Sequence, residues 1–165
     1  MTRTQWLMAG IPIILLTACS SGDGTIASDA APPEPLVTAT GTASVDGQAV
    51  TLAYGASNVF PSGTVNIVLG SAPMNCSTLT ATRLMATGTF VQVQISSAAT
   101  GISNTHVVTF DVISGGFGKG GGSSLGTVEV LDVSDTIITI RVAYQDTVSG
   151  VTYAINGDFG VVRCP

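Results

Sequence analysis

The dominant pattern in this chain is a strict alternation of apolar and polar side chains that begins at Leu36. Val37, Ala39, Gly41, Ala43 and Val45 fall on one side, and Thr38, Thr40, Thr42 and Ser44 on the other. The same period of two recurs at Val50, Leu52 and Tyr54, at Val65, Ile67 and Leu69, at Val91, Val93 and Ile95, and at Val108, Phe110 and Val112. It continues through Val128 and Val130, then Ile138, Ile140, Val142 and Tyr144, and last Val151, Tyr153 and Ile155. A two-residue period predicts half-buried strands. One face rests on a core and the other meets water, which is the antiparallel habit. About eight such segments at short spacing predict an all-β fold, either an antiparallel sandwich or a partly closed barrel.

Turn chemistry sits between these segments. Asp46-Gly47 reads as a two-residue hairpin turn. Ser134-Asp135 separates two later strands, and Asp146 to Gly150 precedes the last one. Asn156-Gly157 has the composition of another hairpin turn, but the phase opposes it. Val151, Tyr153, Ile155, Phe159 and Val161 are all odd-numbered, so the alternation runs straight through. A hairpin there would pair Ile155 with Asp158. One long strand is expected instead, with Gly157 at a bulge or a close approach.

Two segments break the rhythm. Asn75 to Ala86 carries Leu79, Ala81, Leu84 and Met85, with Gly88 as a stop signal, which gives a short helix near residues 76–86 as an option. Its threonines weigh against that option, because β-branched residues are poorer helix formers. Gly115 to Ser124 is glycine-rich and is expected to be a mobile loop with Phe117 as its only large apolar group.

The N-terminus has a different order. Met1 to Gln5 is polar and carries Arg3, Trp6 to Leu16 is almost wholly apolar, and Thr17 and Ala18 are small. This is the order of an export signal. The apolar run is shorter than the roughly 20 residues a spanning helix needs, and Pro12 interrupts it. Leu16-Thr17-Ala18-Cys19, placed directly after that run, resembles the processing site of a bacterial lipoprotein precursor. The resemblance covers residues 1–20. It implies cleavage of residues 1–18, a diacylglyceryl group on the Cys19 thiol and acylation of its new amine. It also implies that Ser20, rather than Asp, directs the protein to the outer membrane. Several acyl chains on one residue suffice for anchoring, whereas a single chain binds marginally. A spanning anchor and an ordinary secretory signal are the alternatives. Residues 19–35 then form the lipidated start and a tether rich in Ser, Gly and Pro, about 20–24 Å end to end for residues 20–35. Residues 36–165 form a single β domain.

Composition and cysteine usage follow from that organisation. The chain has 5 basic and 10 acidic side chains, a net charge of −5. Losing Arg3 with the leader makes the mature chain more acidic by one. Nucleic acid, which demands a basic footprint, is not an expected partner. With Cys19 assigned to lipid, Cys76 and Cys164 remain as an even pair in an oxidising compartment, and a disulfide between them is expected. Two separate buried thiols are the alternative.

Candidate chemistry is sparse. Gly122-Ser123-Ser124-Leu125-Gly126 matches a nucleophile elbow centred on Ser124, but an elbow needs a helix after the serine, and Thr127 to Asp132 alternates as a strand. His106, the only histidine, is the one base a serine mechanism could use. Gly118-Lys119 suggests a phosphate cradle, yet Gly120 stands where Ser or Thr is required. Asp132, Asp135, Asp146 and Asp158 lack the oxygen density of a calcium loop. Trp6 leaves with the leader, and Tyr54, Tyr144 and Tyr153 fall on the apolar face, which disfavours an aromatic sugar platform. No cofactor or metal is expected. The sequence therefore points to a non-catalytic envelope protein, held to the membrane through Cys19, with a structural, adhesive or partner-binding role. An envelope hydrolase using Ser124 and a small-ligand-binding β-barrel are the alternatives.

Overall fold

The computed structural model describes residues 33–80, 87–114 and 117–165. The leader, Cys19, most of the tether and the second half of the candidate helix (81–86) lie outside the described residues. In chain order the elements are β1 (Thr38–Ala39), β2 (Thr42–Val45), β3 (Gln48–Val50), β4 (Tyr54–Val59), β5 (Val65–Gly70), α1 (Cys76–Thr80) and β6 (Gly88–Ile95). They continue as β7 (Gly101–Ile102), β8 (His106–Ser114), β9 (Phe117–Ser123), β10 (Thr127–Val133), β11 (Ile137–Val148) and β12 (Val151–Arg163).

The protein is all-β. The 12 strands of the described residues form one curled sheet, whose main path has the order β7-β10-β11-β12-β4-β5-β6-β8-β9, with β1, β2 and β3 off that path. The curl brings β8 over β11 and β12. Phe110 stacks on Tyr144 with ring centroids 6.0 Å apart and leans on Tyr153 at 5.4 Å. Every neighbouring pair along the path is antiparallel except the junction of β12 with β4, which is parallel and only two pairs long, Val162↔Ala56 and Arg163↔Ser57. β12 serves three partners in all on that edge. Tyr153–Asn156 pairs with β2, Phe159 and Gly160 pair with β1, and the last residues pair with β4.

The alternation correctly places the core. Ile67, Val91, Val93, Val108, Phe110, Ile140, Val142, Ile155 and Val161 are fully buried in one cluster. Each such side chain stabilises by about 1.5–3 kcal/mol relative to exposure. A smaller cluster of Val68, Met74 and Phe90, with Leu79 and Tyr54 against it, lies on the other face of β5 and β6. That second cover explains why β5 is buried at all six of its residues. Tyr54 therefore leaves the main core face expected of it.

Three sequence expectations are corrected. The first strand is broken into β1 and β2, so Val37 is exposed and Leu36 packs on the core instead. Val50 to Tyr54 is not one strand, because Gln48–Val50 pairs with β2 whereas the chain crosses to β4 at Tyr54. Gly115 to Ser124 is largely strand, since Phe117–Ser123 pairs in unbroken register with β8. The optional helix near residues 76–86 is present over Cys76–Thr80, and its remainder lies outside the described residues. The hairpins are tight: both central residues of Asp46-Gly47 and of Ser149-Gly150 have positive φ. The second turn thus lies at Ser149-Gly150, and β11 runs on through Asp146.

Candidate functional site

The residues singled out by their chemistry are dispersed over the sheet. Ser124 follows the end of β9 and is exposed. The chain after it enters β10, so the strand–serine–helix geometry of an elbow is absent. His106 opens β8 opposite Ile95, on the core side. Its Nδ1 lies 3.2 Å from the Ser103 carbonyl oxygen, and its buried Nε2 has no hydrogen-bond partner. Ser123, rather than Ser124, is the serine in register with the core-facing Val108, two residues from His106.

Lys119 sits inside β9 opposite Val112, so its neighbouring glycines are strand residues and make no phosphate loop. These glycines permit a close approach. A Cβ on Gly121 would lie 2.6 Å from the Val148 side chain of β11, and one on Gly120 would run into the Phe110 carbonyl. The glycine-rich composition that read as a flexible loop is a packing requirement of this strand.

The aspartates also separate. Asp132 follows a register irregularity between Val130 and Asp132 in β10, and the Asp146 carboxylate accepts the Thr147 N–H at 2.7 Å. Asp158 binds Arg141 in two-pronged fashion, Nε to Oδ1 at 2.7 Å and Nη2 to Oδ2 at 3.0 Å, with Glu129 3.6 Å from the same guanidinium. The Arg141 guanidinium holds the Asp158 carboxyl below its ordinary range. Being on the open surface, this trio is screened by solvent. Among the described residues, no three His, Cys, Asp or Glu side chains converge on a point.

One polar group on the outer face of β6 and β8 is partly buried. The Gln92 amide donates to Asp111 Oδ2 at 3.1 Å, and burial pushes the Asp111 carboxyl up against the opposing effect of that hydrogen bond. A carboxyl raised by folding binds its proton more tightly in the native state, so stability falls as pH rises through the shifted range. Asp111→Asn keeps an acceptor for Gln92 and removes the buried charge. It is expected to stabilise the protein at pH 7 by a fraction of a kcal/mol, roughly 0.5 after solvent screening. Urea midpoints compared at neutral and acid pH should show the gap closing as the wild-type carboxyl protonates; a gap that widens in acid would contradict this.

The concave side of the sheet is filled by the core side chains themselves. A shallow hollow of about 170 Å³ between β2, β3 and β12, lined by Thr42, Ser44, Ala154 and Asn156, opens to solvent. It is smaller than the roughly 300 Å³ at which ligand clefts begin.

Cys76 and Cys164 are joined in a disulfide with a Cα–Cα distance of 5.4 Å. The Cys164 N–H donates to the Ser57 carbonyl at 2.7 Å, so the bridge ties α1 to the C-terminus just beyond the parallel junction of β12 and β4. The class of protein this defines is a curled, disulfide-tied all-β domain. No family model, curated protein or solved structure matches the chain. No helix among the described residues is long and apolar enough to cross a membrane.

Proposed function

We propose that this protein is a lipid-anchored envelope protein of the outer membrane, whose β domain acts as a non-catalytic scaffold or partner-binding module. One observation carries the reading: Leu16-Thr17-Ala18-Cys19 stands directly behind a short apolar run with a basic start. The acyl chains on Cys19 hold the protein at the membrane, and residues 20–35 lift the domain clear of the headgroups. A disulfide between Cys76 and Cys164 is in keeping with an oxidising compartment. The scattering of Ser124, His106 and the aspartates favours a binding or structural role over hydrolysis.

Labelled fatty acid supplied to cells producing the chain is expected to enter the wild-type protein and not a Cys19→Ala variant. The wild type should fractionate with outer membranes, and the variant should be soluble or remain unprocessed. Absence of label from the wild type would remove the anchor from this account.

A further inference from the structure

An open sheet leaves edges whose N–H and C=O groups can pair with another strand, and proteins usually blunt them with charges, prolines, bulges or shortness. Along the main path the sheet ends at β7 and β9. β7 has two residues, and β10 beside it carries Glu129, Asp132 and a register irregularity. β9 has seven residues, no proline, one charge and an unbroken register with β8. Its residues Gly118, Lys119, Gly120 and Gly122 are exposed.

The direction of the free groups follows from the carbonyls of β8. Those of Val108 and Phe110 point at β9, where they would meet a Cβ on Gly122 and on Gly120. Their register partners Ser123 and Gly121 therefore take the ladder bonds. In an antiparallel ladder the alternate residues face away, so Gly118, Gly120 and Gly122 turn their N–H and C=O outward. Without side chains, these three offer bare backbone to an incoming strand.

We propose that β9 is a self-association edge, where a second copy of the chain adds its own β9 antiparallel about a two-fold axis at Gly120. That axis sets Gly118 against Gly122, Gly120 against Gly120 and Gly122 against Gly118. All three are outward-facing pairs, and each can exchange two hydrogen bonds. Charge selects this register. Lys119 meets Gly121 of the other copy, whereas an axis at Lys119 would oppose the two ammonium groups, and like charges directly opposite are destabilising. The contact is isologous and closes as a dimer, leaving no free β9 edge to continue into fibres. It joins the two halves into one continuous sheet and does not depend on the lipid anchor.

Sedimentation of the purified full chain in detergent, from about 1 μM to 1 mM, spans binding free energies near −8 to −4 kcal/mol and is expected to show a monomer–dimer equilibrium. Gly118→Pro is the discriminating variant. A side chain at Gly118 meets nothing within 4 Å, and proline is tolerated on an edge strand whose N–H faces solvent. It should weaken dimerisation about tenfold or more, given the lost hydrogen bond and the ring in the seam, with far-UV circular dichroism and the disulfide unchanged. Amide exchange of the wild type supplies a readout independent of that variant's folding. The amides of Gly118, Gly120 and Gly122 should gain protection as concentration rises. A chain that stays monomeric throughout would overturn the proposal, as would a dimer in which those three amides exchange freely. A monomer that captures only a foreign strand at β9 would also refute it.

Discussion

Replacing Cys76 and Cys164 together by alanine, or reducing their bridge, is expected to destabilise the protein by about 2–5 kcal/mol. The bridge spans a sequence separation of 88 residues. For a loop of that size, loss of chain entropy in the unfolded state gives about 4.6 kcal/mol as an upper figure. Its position adds a native-state reason. The strands β7, β10, β11 and β12 join the strands β4, β5, β6, β8 and β9 along the main path through the two parallel pairs at Val162 and Arg163 alone. Cys164 is the next residue after that junction, and its bridge fastens α1 beside β4. Without it, the C-terminal end of β12 is free to fray from β4, and the small cluster of Val68, Met74 and Phe90 loses its covering turn. Thermal unfolding with and without reductant should show the midpoint falling by roughly 5–20 °C. A shift below about 0.5 kcal/mol, the scale of an ordinary surface substitution, would show that the junction holds by itself.

Most of the fold was legible because the sheet has one apolar face over long strands. In β5, β6, β8, β11 and β12, large apolar side chains recur at every second residue over three or more consecutive positions of one phase or its interrupted continuation, and a period of two leaves no other phase open. Where the chain departs from this rule, the cause is local. β4 carries Gly55, Ala56, Ser57 and Asn58 and shows no apolar rhythm. Small residues are needed where Leu36 and Val161 crowd Gly55 from the core. β9 replaces its apolar face with glycine because Val148 and the β8 carbonyls occupy the space a side chain would take. β1 and β7 have two residues each, below the length at which any period can be read. The cysteine pair was legible by elimination once Cys19 was set aside. The dispersal of Ser124, His106, Lys119 and the aspartates was not, because pairing register decides which of them become neighbours.

Gly157→Ala is expected to cost about 2–6 kcal/mol, combining backbone strain of about 1–3 with overpacking of similar size. Asn156-Gly157 has the composition of a hairpin turn, and at an open turn the same change would cost only about 1 kcal/mol. The structure gives it a different task. β12 passes straight through, with Asn156 opposite Ala143, Gly157 opposite Val142 and Asp158 opposite Arg141, and without a bulge. Gly157 holds φ at +134°, and a Cβ there would overlap the Cα of Gly41 and lie 2.8 Å from its nitrogen. Gly41 is itself closed in, since its own Cβ would strike the Phe159 ring. The two glycines mark the point where the break between β1 and β2 crosses β12, so the backbones touch with no side chain between them. A methyl group at residue 157 must push the β1–β2 connection away, loosening Thr38 and Ala39 from Gly160 and Phe159. Gly47→Ala is the matching control. Its φ is +77°, yet nothing lies within 4 Å of the added Cβ. The difference between the two variants in urea denaturation measures the crossing together with the extra strain of φ +134° over +77°. Equal losses would mean that Gly157 is kept for its dihedral alone and that the contact with Gly41 relaxes without cost.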